Sequence, residues 1–159
     1  MKRGKKRVAV SGVAPADPSK WSEASQRSVS AEWTREYRDI EYSCWRCQAP
    51  AIFTAQDQKR AYEVQKAPID QRRTLCPDCW KRSLAIAQDI DGCKTTWADS
   101  KSKLQQDSAF LSKWLQLLKE QEQYVRYRPD TATKNMLGRL LQRIAEQAVA
   151  ADRPKTGTG

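Results

Sequence analysis

The sequence reads Cys44-Trp45-Arg46-Cys47 at one point and Cys76-Pro77-Asp78-Cys79 at another, and residues 48–75, 28 in number, separate the two pairs. A Cys-x-x-Cys turn directs two thiolates toward one point, and two such turns complete a tetrahedron of sulfur ligands. Zinc prefers this geometry, with zinc–sulfur distances of ~2.3 Å. The spacing therefore predicts one structural zinc ion, held by Cys44, Cys47, Cys76 and Cys79.

Two other uses of paired cysteines compete with zinc. A redox-active pair belongs in a thioredoxin-like βαβ arrangement, which the flanking sequence does not predict. A rubredoxin-like iron site suits two pairs at this separation, because a thiolate tetrahedron accepts iron as well as zinc. An iron electron carrier therefore stays open as a distant third alternative. The fifth cysteine, Cys93, stands apart from the pairs and is predicted to be a small buried hydrophobic residue.

Composition limits the class of protein. Of 159 residues, 39% are hydrophobic and 30% charged, so we expect a modest core and some disorder. No apolar run is long enough for a membrane helix, and the basic start, residues 1–7, lacks the apolar stretch of a secretory signal. These features predict a cytoplasmic protein, in which paired cysteines more often bind metal than form disulfides.

The formal charge of +10 is spread unevenly. Residues 1–35 carry +5 (8 basic, 3 acidic), residues 36–83 carry +2 (9 and 7), and residues 84–159 carry +3 (12 and 9). Basic proteins of this size often bind a polyanion, so the charge predicts RNA, DNA or a ribonucleoprotein as a partner. The alternative is a merely solvated surface with a basic tail.

The sequence predicts a disordered basic arm over residues 1–34 and a disordered tail over 153–159. The arm combines a basic cluster with glycines, prolines and serines and has no hydrophobic period. Its two tryptophans, Trp21 and Trp33, are expected to pack back onto the fold.

Residues 35–92 are predicted to form the metal module. Ile40 and Tyr42 alternate with polar residues and predict a strand that leads into Cys44, and residues 52–54 predict the returning strand of a β-hairpin. Thr54, with an acidic residue three positions later, is typical of a helix N-cap, and Pro68 ends the helix.

This module carries a recognisable block, Phe53-Thr54-Ala55-Gln56-Asp57-Gln58, then Ala61-Tyr62-Glu63, Lys66, Pro68 and Arg73 ahead of Cys76-Pro77-Asp78-Cys79. Over residues 38–83 it resembles the bacterial "probable zinc-ribbon" domain family. The resemblance implies a zinc-binding module and no catalytic activity. Gln48 stands where the family usually has glycine, at a turn position of positive φ, so we expect a steric cost there.

Residues 93–152 are predicted to form a helical hairpin, which gives an α+β protein: a small zinc ribbon with an inserted helix, followed by helices. A first helix is expected to stop near Gly92, with Trp80, Leu84, Ala87 and Ile90 on one packed face. A long helix is expected over 101–127, and Asp130 is predicted to cap the next one.

The absence of histidine and a closed set of four thiolates both argue against catalysis and against a small-molecule substrate. Basic and aromatic residues flank the cysteine pairs and are candidates for contacts to phosphates and bases: Trp45, Arg46, Arg72, Arg73, Lys81 and Arg82. The alternative function is a protein-interaction adaptor that uses the leucine-rich hairpin, including Leu115 and Leu141.

Overall fold

The computed structural model of the protein describes residues 12–126 and 128–154. Its four short strands are β1 Val13–Pro15, β2 Glu36–Arg38, β3 Ile40–Ser43 and β4 Pro50–Phe53. Its α-helices are α1 Glu23–Gln26, α2 Ala55–Lys59, α3 Pro77–Leu104, α4 Ser108–Gln121 and α5 Thr131–Ala151. The predicted α+β class is therefore confirmed. None of these helices is long and apolar enough to cross a membrane.

The chain divides into two compact units on either side of the Cys76–Pro77 bond. The first unit contains two antiparallel two-stranded sheets, β1–β2 and β3–β4. In the second sheet Ile40 pairs with Phe53 and Ser43 pairs with Pro50. This is the hairpin that the alternating residues predicted.

Helix α2 begins at the predicted cap. The Thr54 hydroxyl accepts a hydrogen bond from the backbone N–H of Asp57 at 3.1 Å, which satisfies one of the free donors of the first turn. A π-helical turn, Arg60–Val64, extends the helix. Lys66 then adopts a positive φ of 58°, a conformation that a helix cannot continue.

Residues 12–34, here called the N-terminal segment, differ from the predicted disordered arm. Strand β1 pairs with β2, placing Ala14 opposite Tyr37. Trp21 is only 3% exposed and lies in a core cluster with Tyr37, Phe53 and Tyr62. Residues 1–11 of the predicted arm and residues 155–159 of the predicted tail lie outside the described residues.

A buried carboxylate explains why the N-terminal segment is ordered. Glu63 accepts hydrogen bonds from the backbone N–H of Asp17 at 2.8 Å and from the Tyr37 hydroxyl at 3.1 Å. Lys59 lies 3.1 Å from the same carboxylate, and Trp21 donates to the Tyr37 hydroxyl at 2.7 Å. These partners are distant in sequence, so no local pattern within residues 12–34 reveals them.

The second unit consists of α3, α4 and α5, with α4 packing against both of the others. Helix α3 does not stop near Gly92 but runs to Leu104, with a non-helical residue at Ser100. A helical glycine costs about 0.5–1 kcal/mol relative to alanine, and the buried face of α3 offsets that cost. That face is made by Ile86, Ile90, Cys93 and Leu104.

Helices α4 and α5 each begin directly after an N-cap aspartate. Asp107 caps α4 through a hydrogen bond from the Phe110 N–H at 3.0 Å, so this helix begins at Ser108 and not at the expected residue 101. Asp130 caps α5 as predicted. The leucine-rich faces supply the core of the unit, in which Leu111, Leu117, Leu118 and Leu137 are buried.

Candidate metal centre

Two turns bring the four paired cysteines together. Cys44 and Cys47 lie in the connection between β3 and β4, Cys76 immediately precedes α3, and Cys79 lies in the first turn of α3. The four sulfur atoms all lie within 4.8 Å of one another. Three of the side chains are buried, and Cys47 is exposed. Cys93 is buried elsewhere in α3, as predicted for a small hydrophobic residue.

The donor set fits a tetrahedral metal ion. The sulfur atoms of Cys47 and Cys76 are 3.7 Å apart, close to the ~3.8 Å edge of a tetrahedron with metal–sulfur distances of ~2.3 Å. Burial alone would raise the pKa of Cys44, but backbone N–H groups of Cys47, Cys76 and Arg46 outweigh it and lower that pKa to about 6. The chain itself therefore favours the thiolate form that a metal needs.

Backbone hydrogen bonds hold the first turn in place. Cys44 donates to the carbonyl of Ala49 at 2.8 Å, and Gln48 donates to the carbonyl of Cys44 at 2.9 Å. Trp45 donates to the carbonyl of Thr74 at 2.7 Å, which attaches the first turn to the segment that leads into Cys76. These bonds hold Cys44 and Cys47 in the turn of the hairpin and fix Thr74, two residues before Cys76, beside it.

Gln48 has the positive φ that the family resemblance implied, at 61°. Its side-chain amide donates to the carbonyl of Trp45 at 2.9 Å, which offsets part of the steric cost. The left-handed region costs a residue with a Cβ roughly 1–2 kcal/mol.

We expect Gln48→Gly to raise the free energy of unfolding by about 0.5–1 kcal/mol, because glycine removes the steric cost and loses only an exposed hydrogen bond. Denaturant unfolding of the metal-loaded protein measures the change. Gln48→Ala is the matched control, since it loses the hydrogen bond but keeps the Cβ, and it should destabilise. A destabilised glycine variant would show that the amide contact matters more than the backbone conformation.

Of the five predicted cationic contacts, Arg46, Arg73 and Arg82 interact with other residues of the protein. Arg73 and Arg82 have partners within their own units: Arg73 lies 4.0 Å over the Phe53 ring and 3.9 Å from Asp57. Arg82 makes two hydrogen bonds of 2.9 Å to the Glu120 carboxylate. All five cations are exposed, and Trp45 is half-buried.

Two tryptophans, Trp33 and Trp80, are more exposed than the sequence predicts. Trp80 and Leu84 were expected on the packed face of their helix, yet Trp80 is 53% exposed and Leu84 is exposed too. They lie on the side of α3 opposite Ile86 and Cys93, which form its buried face. Trp33 was expected to pack on the fold and is 76% exposed. The only signal in the sequence for the exposure of Trp33 is its position in a polar, basic segment.

Residues 38–88 match the model of a protein family described as "Probable treble clef domain". The treble clef is a zinc-binding fold, so the match confirms the resemblance to a zinc-ribbon-like domain that residues 38–83 carry. Comparisons of the chain with curated proteins and with solved structures found no match.

Proposed function

We propose that the treble clef domain at residues 38–88 holds one structural zinc ion and presents a surface that binds nucleic acid. The observation that supports this most is the group of exposed cations beside the cysteine turns, Arg46, Arg72 and Lys81, in a chain of formal charge +10. The proposed role is binding and not catalysis, because four thiolates leave no coordination position for a water molecule.

A structural role for the metal follows from the size of the module. Two short sheets and the short helices α1 and α2 bury few large side chains in the first unit, chiefly Trp21, Tyr37, Phe53 and Tyr62. Small domains with so little core depend on metal or disulfide cross-links, and the binding energy of the metal is then part of the folding energy. Cys44, Cys47, Cys76 and Cys79 would hold the ion.

The local charge supports nucleic acid as the partner. A zinc ion with four thiolates carries a charge of −2, so the exposed arginines and lysine supply the positive potential near the site. Arg73 and Arg82 are engaged with Asp57 and Glu120, and we expect them to contribute less. The five cations of residues 2–7, which lie outside the described residues, add to the attraction.

Salt dependence tests this function. We expect binding to mixed RNA and DNA to weaken steeply with salt, each neutralised phosphate contributing roughly −0.7 to −0.9 to the slope of log K against log[salt]. Arg72→Ala should weaken binding and flatten the slope by about that amount. Deletion of residues 2–7 should flatten it further. Neither change should release zinc, because neither removes a ligand.

Arg82→Ala is the matched control, since it removes the same charge from an arginine that Glu120 already holds. We expect it to change the slope less than Arg72→Ala does. Undetectable binding to RNA and DNA at low salt would contradict the proposed function.

An adaptor for a protein partner is the second candidate. Leu115 and Leu141 are half-buried, so the leucine-rich faces contribute mainly to the core of the second unit. The exposed pair on α3, Trp80 and Leu84, favours this candidate instead. An adaptor predicts that Trp80→Ala and Leu84→Ala abolish partner binding and that Arg72→Ala does not.

A further inference from the structure

Trp33 presents most of its indole to solvent at the end of a 3-10 helix, Val29–Glu32. Single exposed hydrophobic residues are common on protein surfaces and need no explanation. Trp33 differs from such residues because hydrogen bonds connect its helix to residue Asp70. Its backbone N–H donates to the carbonyl of Ser30, and the Ser30 hydroxyl donates to the carboxylate of Asp70.

Residues 70–74 connect the surroundings of Trp33 to those of Trp45. At one end, Asp70 is bound by Ser30, and the neighbouring Ile69 N–H donates to the Ser25 hydroxyl at 3.2 Å. At the other end, the carbonyl of Thr74 accepts from the N–H of Trp45 at 2.7 Å. The four residue steps from Asp70 to Thr74 span at most about 14 Å. Two tryptophans are therefore held near the two ends of one short segment.

Exposed arginines lie within residues 70–74 and close in sequence to both tryptophans. Arg72 is exposed in the middle of the segment, while the next residue, Arg73, covers the Phe53 ring. Exposed arginines also follow the tryptophans closely, Arg35 two residues after Trp33 and Arg46 directly after Trp45. The order along the segment is thus an exposed aromatic group, an exposed cation and a half-buried aromatic group. This order suits a nucleic-acid strand, in which phosphates alternate with flat bases.

We infer that residues 70–74 are the track of a single-stranded nucleic acid, with one base stacked on Trp33, another on Trp45, and Arg72 at the intervening phosphate. This inference rests on the proposed function and narrows its ligand class. Aromatic side chains stack on bases whose faces are open, and a duplex covers those faces with its own neighbouring bases. Phosphate contacts alone would not distinguish single strands from duplexes.

Fluorescence anisotropy with short labelled oligonucleotides tests the inference on the full-length, metal-loaded protein. Oligo-uridine and oligo-deoxythymidine serve as the single strands, and the same strands paired with their complements serve as the duplexes. We expect Trp33→Ala to weaken single-strand binding by roughly tenfold, the loss of one stacked base. The salt slope should stay unchanged, because no charge is removed.

Trp80→Ala is the matched control, since it deletes another exposed tryptophan that lies on α3. We expect it to bind single strands as the wild type does, and Trp33→Phe to retain part of the affinity. Metal content and circular dichroism verify that each variant is folded.

The outcomes separate the two proposals. Equal binding of duplexes and single strands, with Trp33→Ala unaffected and Arg72→Ala weakened, would overturn the stacking track and leave the proposed function in place. A loss confined to Trp80→Ala would also overturn the track, because it would move the contact to α3. No binding of either form at low salt would overturn the proposed function and the inference with it.

Discussion

Cys76→Ser is expected to lose its metal and with it the folded hairpin β3–β4, whereas the wild-type protein should contain one zinc ion per chain. Structural zinc contributes about 10–16 kcal/mol in small zinc modules, which equals or exceeds the about 5–15 kcal/mol by which whole domains are stable. The remaining thiolates would lie close together without a shared cation. Metal analysis by mass spectrometry measures the loss of zinc, and hydrogen exchange of the backbone amides in residues 40–53 measures the loss of structure.

Cys93→Ser is the matched control, since it changes a cysteine in the same chain that lies outside the cluster. We expect it to keep its zinc and to lose no more than about 1 kcal/mol, the usual scale for a small buried substitution. Loss of zinc in this variant, or full zinc occupancy in Cys76→Ser, would show that the ligand set is wrong. A red protein that contains iron would instead support the rubredoxin-like alternative.

Glu63→Ala is expected to lower the free energy of unfolding by about 3 kcal/mol and to release the N-terminal segment. Glu63 is 6% exposed and accepts from Asp17 and Tyr37, with Lys59 beside it. Alanine would leave the Asp17 N–H and the Tyr37 hydroxyl without this acceptor, and each unsatisfied buried group costs about 1–3 kcal/mol. Denaturant unfolding measures the energy, and protease cleavage within residues 12–34 measures the release.

Glu23→Ala is the matched control for Glu63→Ala. The Glu23 side chain is 91% exposed and pairs with Arg27 across one helical turn, so its removal should cost no more than about 0.5 kcal/mol. If both variants unfold alike, Glu63 does not anchor the segment.

The same carboxylate predicts a pH dependence. Burial alone would raise the pKa of Glu63, but hydrogen bonds from Asp17, Lys59 and Tyr37 outweigh it and hold that pKa below its ordinary value of 4.5. A carboxyl whose pKa is lower in the folded state stabilises the fold above its unfolded pKa. This stability is therefore expected to be lost as the pH falls below 4.5. In Glu63→Gln the loss over that range should be smaller.

Local signals predicted the part of the fold that depends on neighbouring residues. Cys-x-x-Cys spacing, alternation around Ile40 and caps at Thr54 and Asp130 each act within a few residues, and the structure contains each of them. The order of the N-terminal segment was not predictable in this way. It depends on Glu63, which is 46 residues from Asp17, and on contacts that exist only after the chain has folded back.

Local sequence patterns also failed to predict which tryptophans are buried. Trp21 and Trp33 stand in similar polar surroundings in the sequence, but in the fold Trp21 packs in the core cluster and donates a hydrogen bond to Tyr37, whereas Trp33 is exposed. Trp80 sits at helical spacing from Leu84 and Ile90, so the pattern placed all three on one face. The true buried face follows Ile86, Ile90 and Cys93 instead, because the neighbouring α4 determines which side is covered. For the candidate site, spacing alone named the four cysteines, while the exposure of Arg72 and the engagement of Arg82 needed tertiary contacts.

The anchoring of the N-terminal segment by Glu63 sets an order of events on the ribosome. Trp21 leaves the ribosome 42 residues before Glu63 (63 minus 21), and at about 5–20 residues per second this delay lasts roughly 2–8 s. The metal ligands are completed later still, when Cys79 emerges. During that interval the nascent chain carries Trp21 and Tyr37 without Glu63, the acceptor that binds Asp17 and Tyr37 in the folded protein. The N-terminal segment is therefore synthesised first but is expected to become ordered only after Glu63 has emerged.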